Sequence, residues 1–176
     1  ISFTDQIEEI LNDSEIQLVV ICTPPETHFK LAMRCIANKK NVLVEKPISA
    51  TTEQVRELYS HAAQHGVLIL PYQNRRYDSC YLTLKKVLDS GTLGEIIEVE
   101  SHFDYFRPSV PLVDNISING ALYGLGVHTI DQMIALFGRP ETATVDVRKI
   151  RNQNQPDDTF DIRLFYNNMR VIIKTS

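Results

Sequence analysis

The chain has 176 residues, a net charge of −4 at neutral pH, and the 43% hydrophobic and 23% charged content of an ordinary soluble globular protein. The negative balance gives no reason to expect nucleic acid or an anionic membrane surface as a partner. No stretch is apolar for long enough to cross a bilayer as a helix, no signal peptide is visible, and Cys22, Cys35 and Cys80 form no CxxC pair.

The first expected element is a helix. Thr4 can cap it, Asp5 and Glu8 suit its first turns, and Ile7, Ile10 and Leu11 form its apolar face, ending near Asn12-Asp13. Leu18-Val19-Val20-Ile21-Cys22 reads as a central parallel strand, stopped by Thr23-Pro24-Pro25. Pro25 suits the first turn of a second helix carrying Phe29, Leu31, Ala32, Cys35 and Ile36, which ends at Lys39-Lys40. Two of the three cysteines lie in apolar settings and are expected to be small core residues of a protein in a reducing, cytoplasmic compartment.

Val42-Leu43-Val44 is the next strand, and it ends abruptly in Glu45-Lys46-Pro47. Ligands of open α/β sheets bind at the carboxyl ends of the strands, so Lys46 is placed to reach one. Taken alone, these residues read better as a strand leaving the core through an ordinary polar loop. Thr51 or Thr52 caps a third helix containing Glu53, Val55, Leu58, Tyr59 and Ala62, and Gly66 is a good C′ residue. Val67–Leu70 is a third strand. Strand, helix, strand, helix, strand at short intervals is the doubly wound α/β pattern.

The rhythm changes at Pro71. The residues Tyr72 to Tyr77 form a polar and aromatic linker, and a helix follows over about Ser79–Asp89, ended by Ser90-Gly91. Glu95 to Phe106 alternates and is expected to be an antiparallel strand with one wet face. Residues 107–119 have no clear period and read as loop. A helix is expected over about Ala121 to Phe137, closed by Gly138 and Pro140. Two or three strands follow. The last pair, Phe160–Tyr166 and Met169–Lys174, meets at Asn167-Asn168, a plausible tight turn because asparagine tolerates positive φ.

The expected fold is therefore α/β followed by α+β. Residues 1–71 form the C-terminal part of a Rossmann domain, and 72–176 form part of a mostly antiparallel sheet domain with helices. No GxGxxG occurs, and the chain opens on a helix. The expectation is that about 50 residues, the first βαβ portion, precede Ile1, and that the last strand is cut at Ser176.

Five motifs stand in order: Val19-Val20-Ile21-Cys22-Thr23-Pro24-Pro25-Glu26-Thr27-His28, Val42-Leu43-Val44-Glu45-Lys46-Pro47, Gln73-Asn74-Arg75-Arg76-Tyr77, Leu93-Gly94-Glu95-Ile96 and Gly124-Leu125-Gly126-Val127-His128-Thr129-Ile130-Asp131. Together they resemble the Gfo/Idh/MocA oxidoreductases from about Asp5 to Pro140, with wording most similar to a subgroup that includes bacterial scyllo-inositol dehydrogenases. The resemblance implies an NAD- or NADP-dependent enzyme. It would move a hydride between the nicotinamide and a secondary alcohol of a small polyol, a sugar or cyclitol, at an active site between two domains. It implies that Thr23, Pro24 and His28 line the cofactor, that Glu45 and Lys46 sit by the nicotinamide and its ribose, and that Lys46-Pro47 is a cis peptide. It also implies a homo-oligomer paired through the second sheet.

The chemistry suits these residue types. Lys46 can hold a hydroxyl by a charge-assisted hydrogen bond, and His128 is the better general acid or base. Gly120, Gly124 and Gly126 each weaken the helix around His128 by about 1 kcal/mol relative to alanine, a cost that suggests close approach of ligand or backbone. One departure stands out: most members of the family carry an aspartate where this chain has Gly124. Asp131 either orients His128 or solvates the helix. Arg75 and Arg76 are expected near the domain junction, holding substrate hydroxyls or cofactor phosphate, with one of them making only structural salt bridges. Asn74 fixes either the linker or a ligand. Tyr105 and Arg107 either line the substrate cleft or lie on the surface. His61 and His65 share a helix face but form no HExxH, so no metal site is expected. The alternative to a dehydrogenase is a catalytically inactive, cofactor-sensing regulator of the same fold.

Overall fold

The computed structural model describes residues 2–106 and 113–176. The chain divides into two compact units, one ending at Tyr72 and the other beginning at Gln73.

The first unit contains α1 (Ile7–Asn12), β1 (Leu18–Ile21), α2 (His28–Ala37), β2 (Asn41–Val44), α3 (Thr52–His65) and β3 (Ile69–Pro71). The strands form a parallel sheet in the order β1-β2-β3, with Val19 opposite Val42 and Val42 opposite Ile69. One face is packed. Ile21, Val42, Val44 and Ile69 share a core with Leu11, Ala32, Cys35, Ile36, Leu58 and Ala62. Each large apolar side chain fully buried this way contributes about 1.5–3 kcal/mol. The other face leaves Leu18, Val20 and Leu70 exposed.

The signals of α3 act as their chemistry suggests. Thr51 Oγ1 accepts from Gln54 N at 3.3 Å, and Gly66 closes the helix in the left-handed region. Thr4 does not cap α1. Its Oγ1 accepts from Gln6 N, so it shapes the turn before the helix, and Gln6 is the N-cap without a side-chain bond. Lys40 is buried, and its Nζ donates to Asp13 O, tying the end of α1 to the entry of β2. Of the cysteines, Cys35 alone is buried. Cys22 lies just past β1, where the chain opens to solvent, and Cys80 is exposed too.

The second unit contains α4 (Ser79–Asp89), β4 (Glu98–His102), α5 (Val127–Phe137), β5 (Thr142–Arg148), β6 (Thr159–Phe165) and β7 (Arg170–Thr175). Its sheet runs β4-β7-β6-β5. The β5–β6 and β6–β7 pairs are antiparallel, but β4 pairs with β7 in parallel. The antiparallel expectation for β4 is therefore corrected, although its wet face is as expected, since exposed and half-buried residues alternate. Alternation reports one solvated face and is blind to the direction of the neighbour. Phe160, Ile162, Leu164, Val171 and Ile173 on the inner face pack with Met133 of α5.

The β6–β7 turn falls at Asn167-Asn168, with Tyr166 N bonded to Met169 O. Neither asparagine has positive φ; among the described non-glycine residues that conformation belongs to Lys39, at the end of α2. Among the described residues, no helix is long and apolar enough to cross a membrane.

Candidate functional site

In the first unit, two loops leave the carboxyl ends of adjacent parallel strands. One follows β1 through exposed Thr23 and Pro24 into a 3-10 turn over Pro25–Thr27. Within it, the Thr23 and Thr27 hydroxyls are 2.6 Å apart. The other follows β2 through Glu45, Lys46 and Pro47, and the Lys46-Pro47 peptide is cis. Lys46 and Glu45 are half-buried, and Glu45 Oε2 accepts from Lys46 N at 3.2 Å.

His28 joins the two loops. It opens α2, is 1% exposed, and places Nδ1 2.8 Å from Pro47 O and Nε2 2.8 Å from Thr23 O. Both ring nitrogens are committed to backbone carbonyls, so His28 shapes the loops that meet a ligand. On the far side of Lys46, buried Ser49 donates to Gln54 Oε1 of α3 at 2.6 Å. The Lys46 loop is thus anchored on both flanks.

In the second unit, His128 lies on the second residue of α5 and is 4% exposed. The expected helix over residues 121–137 is not uniform. Leu122–Gly126 forms a π-helical turn, and α geometry begins at Val127. π turns inside helices are frequent at functional sites. A Cβ added to Gly126 would come within 2.9 Å of Leu122 Cδ1 and 3.4 Å of Phe160, and one added to Gly120 within 1.9 Å of Asp157 Oδ1. These two glycines are needed for close approach. Gly124 is not, since a Cβ there meets nothing within 4 Å.

Asp131 pairs with Arg76 and not with His128. Arg76 Nε donates to Oδ2 at 2.7 Å and Nη2 to Oδ1 at 2.6 Å, and the bonded carboxylate raises the Arg76 guanidinium pKa further. Arg75 donates to Asp78 at 3.0 Å and lies 5.1 Å from the Phe103 ring centroid. Asn74 opens a 3-10 turn over Asn74–Tyr77 and is exposed. Tyr105 sits past β4, with its N 3.5 Å from Ser176 O. Arg107 lies outside the described residues. The His61 and His65 ring centroids lie 4.2 Å apart with the rings tilted by 58°, and His65 Nδ1 donates to His61 O.

Residues 1–73 match the oxidoreductase family with an NAD-binding Rossmann fold, and residues 81–176 match the GFO/IDH/MocA C-terminal domain. The chain belongs to the Gfo/Idh/MocA oxidoreductase family. It is 52% identical to the Escherichia coli oxidoreductase YhhX over all 176 residues, which is 51% of YhhX. It is 37% identical to the scyllo-inositol 2-dehydrogenase (NADP(+)) IolW of Bacillus subtilis, over 96% of this chain and 48% of IolW. The crystal structure of yhhX superposes with a TM-score of 0.94 over 99% of this chain and 51% of that chain. The chain thus spans about half the length of the relatives it matches.

Membership in a Gfo/Idh/MocA family with an NAD-binding Rossmann fold explains why the polar residues of the first unit gather where they do. Two loops at the carboxyl ends of parallel strands, with exposed Thr23 and Pro24 and half-buried Glu45 and Lys46, stand where open α/β sheets bind their ligands and fit a dinucleotide cofactor. No glycine fingerprint for the pyrophosphate occurs in these 176 residues, so the fit does not extend to the pyrophosphate.

The sequence reading passed over two residues of the second unit. Gln132, buried on α5, donates from Nε2 to Arg75 O at 2.9 Å. Asp157 accepts from Leu122 N at 2.7 Å. Their partners lie far away in sequence, and no local pattern marks them.

Proposed function

We propose that the full-length protein is an NAD(P)-dependent dehydrogenase acting on a secondary alcohol of a sugar or cyclitol. The observation that carries this reading is the placement of Lys46 at the carboxyl end of β2, in a loop that His28 locks to the end of β1. The likeness to a scyllo-inositol 2-dehydrogenase supports a cyclic polyol as the substrate class.

The loops carrying Thr23, Pro24, Glu45 and Lys46 would hold the nicotinamide cofactor, whose chemistry would be to exchange a hydride with the carbinol carbon. The chain's own residues handle the oxygen. The Lys46 ammonium donates a hydrogen bond to the alcohol oxygen and stabilises the negative charge that develops there as the hydroxyl proton leaves. His128 takes the hydroxyl proton as the carbonyl forms, and returns it in the reverse direction. Lys46 remains protonated throughout, so charge and protons balance. Thr23, Pro24 and Asn74 serve the cofactor in this reading. Arg75, Tyr105 and Arg107 serve substrate hydroxyls, while Arg76 and Asp131 shape the same surface through their ion pair.

The partner in this account is a second copy of the protein, through the sheet of the second unit. Strand β5 is an edge strand exposed at every residue, a surface that proteins normally cover.

The test is reduction of NAD and NADP by full-length protein over a panel of inositols and aldoses. Turnover on a cyclic polyol supports the reading. Cofactor binding without turnover on any of them points to a cofactor sensor. Absence of cofactor binding overturns both.

A further inference from the structure

We infer that Asp157 is the positioning residue for His128, acting through the π-helical turn; this rests on the reading of His128 as the proton-transfer group. The first amides of any helix lack partners within the helix. Here one residue serves two of them. Asp157 O accepts from Ala121 N at 2.8 Å, and Asp157 Oδ2 accepts from Leu122 N at 2.7 Å. The carboxylate reaches Leu122 N because residue 120 is glycine: a Cβ there would sit 1.9 Å from Oδ1 and 2.5 Å from Cγ. Gly120 O in turn accepts from Gly124 N at 2.8 Å, which starts the winding of the turn.

The other end of the turn meets the same stretch of chain. Three residues after Asp157, buried Phe160 of β6 lies against Gly126, where a Cβ would touch its ring at 3.4 Å and meet Leu122 Cδ1 at 2.9 Å. The π turn is thus gripped at its start by a carboxylate and at its finish by a ring, both fixed by the entry to β6. His128 follows two residues later. A π turn holds one residue more than an α turn, and one residue is about 100° around a helix axis. Releasing the Asp157 grip lets the segment rewind or fray, and Val127 and His128 are the first residues of α5 to move.

The variants are Asp157→Ala, Asp157→Asn and Gly120→Ala in the full-length protein, each read for kcat, KM, cofactor affinity, pH–rate profile and amide hydrogen exchange over residues 121–128. Misplacing a reacting group by about 1 Å costs on the order of 10²-fold in rate. Asp157→Ala and Gly120→Ala are expected to lose about that in kcat, with KM and cofactor affinity changed by less than about threefold. Both should move the pH–rate limb that depends on His128 and speed exchange at residues 121–126 at least about tenfold. Asp157→Asn, which keeps an oxygen to accept from Leu122 N, is expected to restore most of the rate and protection. Unchanged exchange in Asp157→Ala overturns the clamp. Faster exchange with unchanged kcat overturns the positioning of His128. A loss shared equally by kcat and cofactor affinity, without rescue by asparagine, shows a general fold defect and also overturns it. If the wild-type protein turns over no polyol, the functional reading fails, and the exchange data still decide the clamp.

Discussion

His28 holds Pro47 by its backbone: the imidazole Nδ1 lies 2.8 Å from Pro47 O, while Nε2 lies 2.8 Å from Thr23 O. Carbonyl oxygens only accept, so each contact asks the ring for an N–H. A single buried side chain thereby fixes the two loops between which Lys46 is presented. Replacing His28 by alanine leaves these carbonyls without the ring and opens a cavity. The expected loss is about 3 kcal/mol in denaturant unfolding of the full-length protein, with weaker NAD(P) binding. His28→Gln, which keeps one donor, should lose less. Equal stability of His28→Ala and wild type would refute this role.

The Arg76–Asp131 pair makes a separate prediction. Its two bonds join the Asn74–Tyr77 turn to α5, with Arg76 about half exposed. Water screens such a pair, so a double-mutant cycle of Arg76→Ala and Asp131→Ala is expected to give a coupling of about 0.5–1 kcal/mol. Additive losses would show that the pair contributes nothing to stability.

The glycines before His128 should respond differently to the same change. Gly124→Ala meets no neighbour and removes a flexible residue from a helical segment, so it should stabilise the protein by about 0.5–1 kcal/mol. Gly126→Ala places a Cβ 2.9 Å from Leu122 Cδ1 and against the Phe160 ring, so Leu122 must shift and the variant should be less stable than Gly124→Ala by about 1 kcal/mol. Thermal unfolding of both variants checks the contrast, which vanishes if Gly124 is needed for packing.

Asp158 links stability to pH. Burial pushes its carboxyl pKa up, but hydrogen bonds from Ile150 N, Arg151 N and the Thr159 hydroxyl outweigh burial, and the net direction is down. A folded-state pKa below the unfolded value adds stability above the ordinary aspartate range, and that stability is lost as pH falls through the depressed value. Asp158→Asn should therefore cost about 1 kcal/mol near neutrality. The gap to wild type should close as pH is lowered through the acid range. A gap independent of pH would contradict it.

Much of this was legible in the residues. Thr51 and Gly66 bound α3 because capping chemistry is local. The strands β1, β2 and β3 announced themselves as apolar runs bounded by proline, acid and glycine. Lys46 stood out through its place past the carboxyl end of β2 together with the other motifs, since its own stretch reads as an ordinary polar loop. What escaped notice depends on distant partners. The parallel pairing of β4 with β7 is set by residues about 70 positions apart. Asp157 meets Leu122 across 35 positions. The π turn left only its glycines as a trace, and of these Gly124 proved to have no packing reason. Asp131 looked like a partner for His128 by helical spacing, but the Arg76 fork captures it from outside the helix.

The most direct test of the account is single-turnover hydride transfer in full-length Lys46→Ala and His128→Ala, with cofactor affinity measured beside it. Both variants are expected to bind NAD(P) and to lose on the order of 10²–10⁴-fold in the transfer step. In His128→Ala the pH dependence of that step should flatten. Transfer at the wild-type rate in either variant would contradict the roles assigned here.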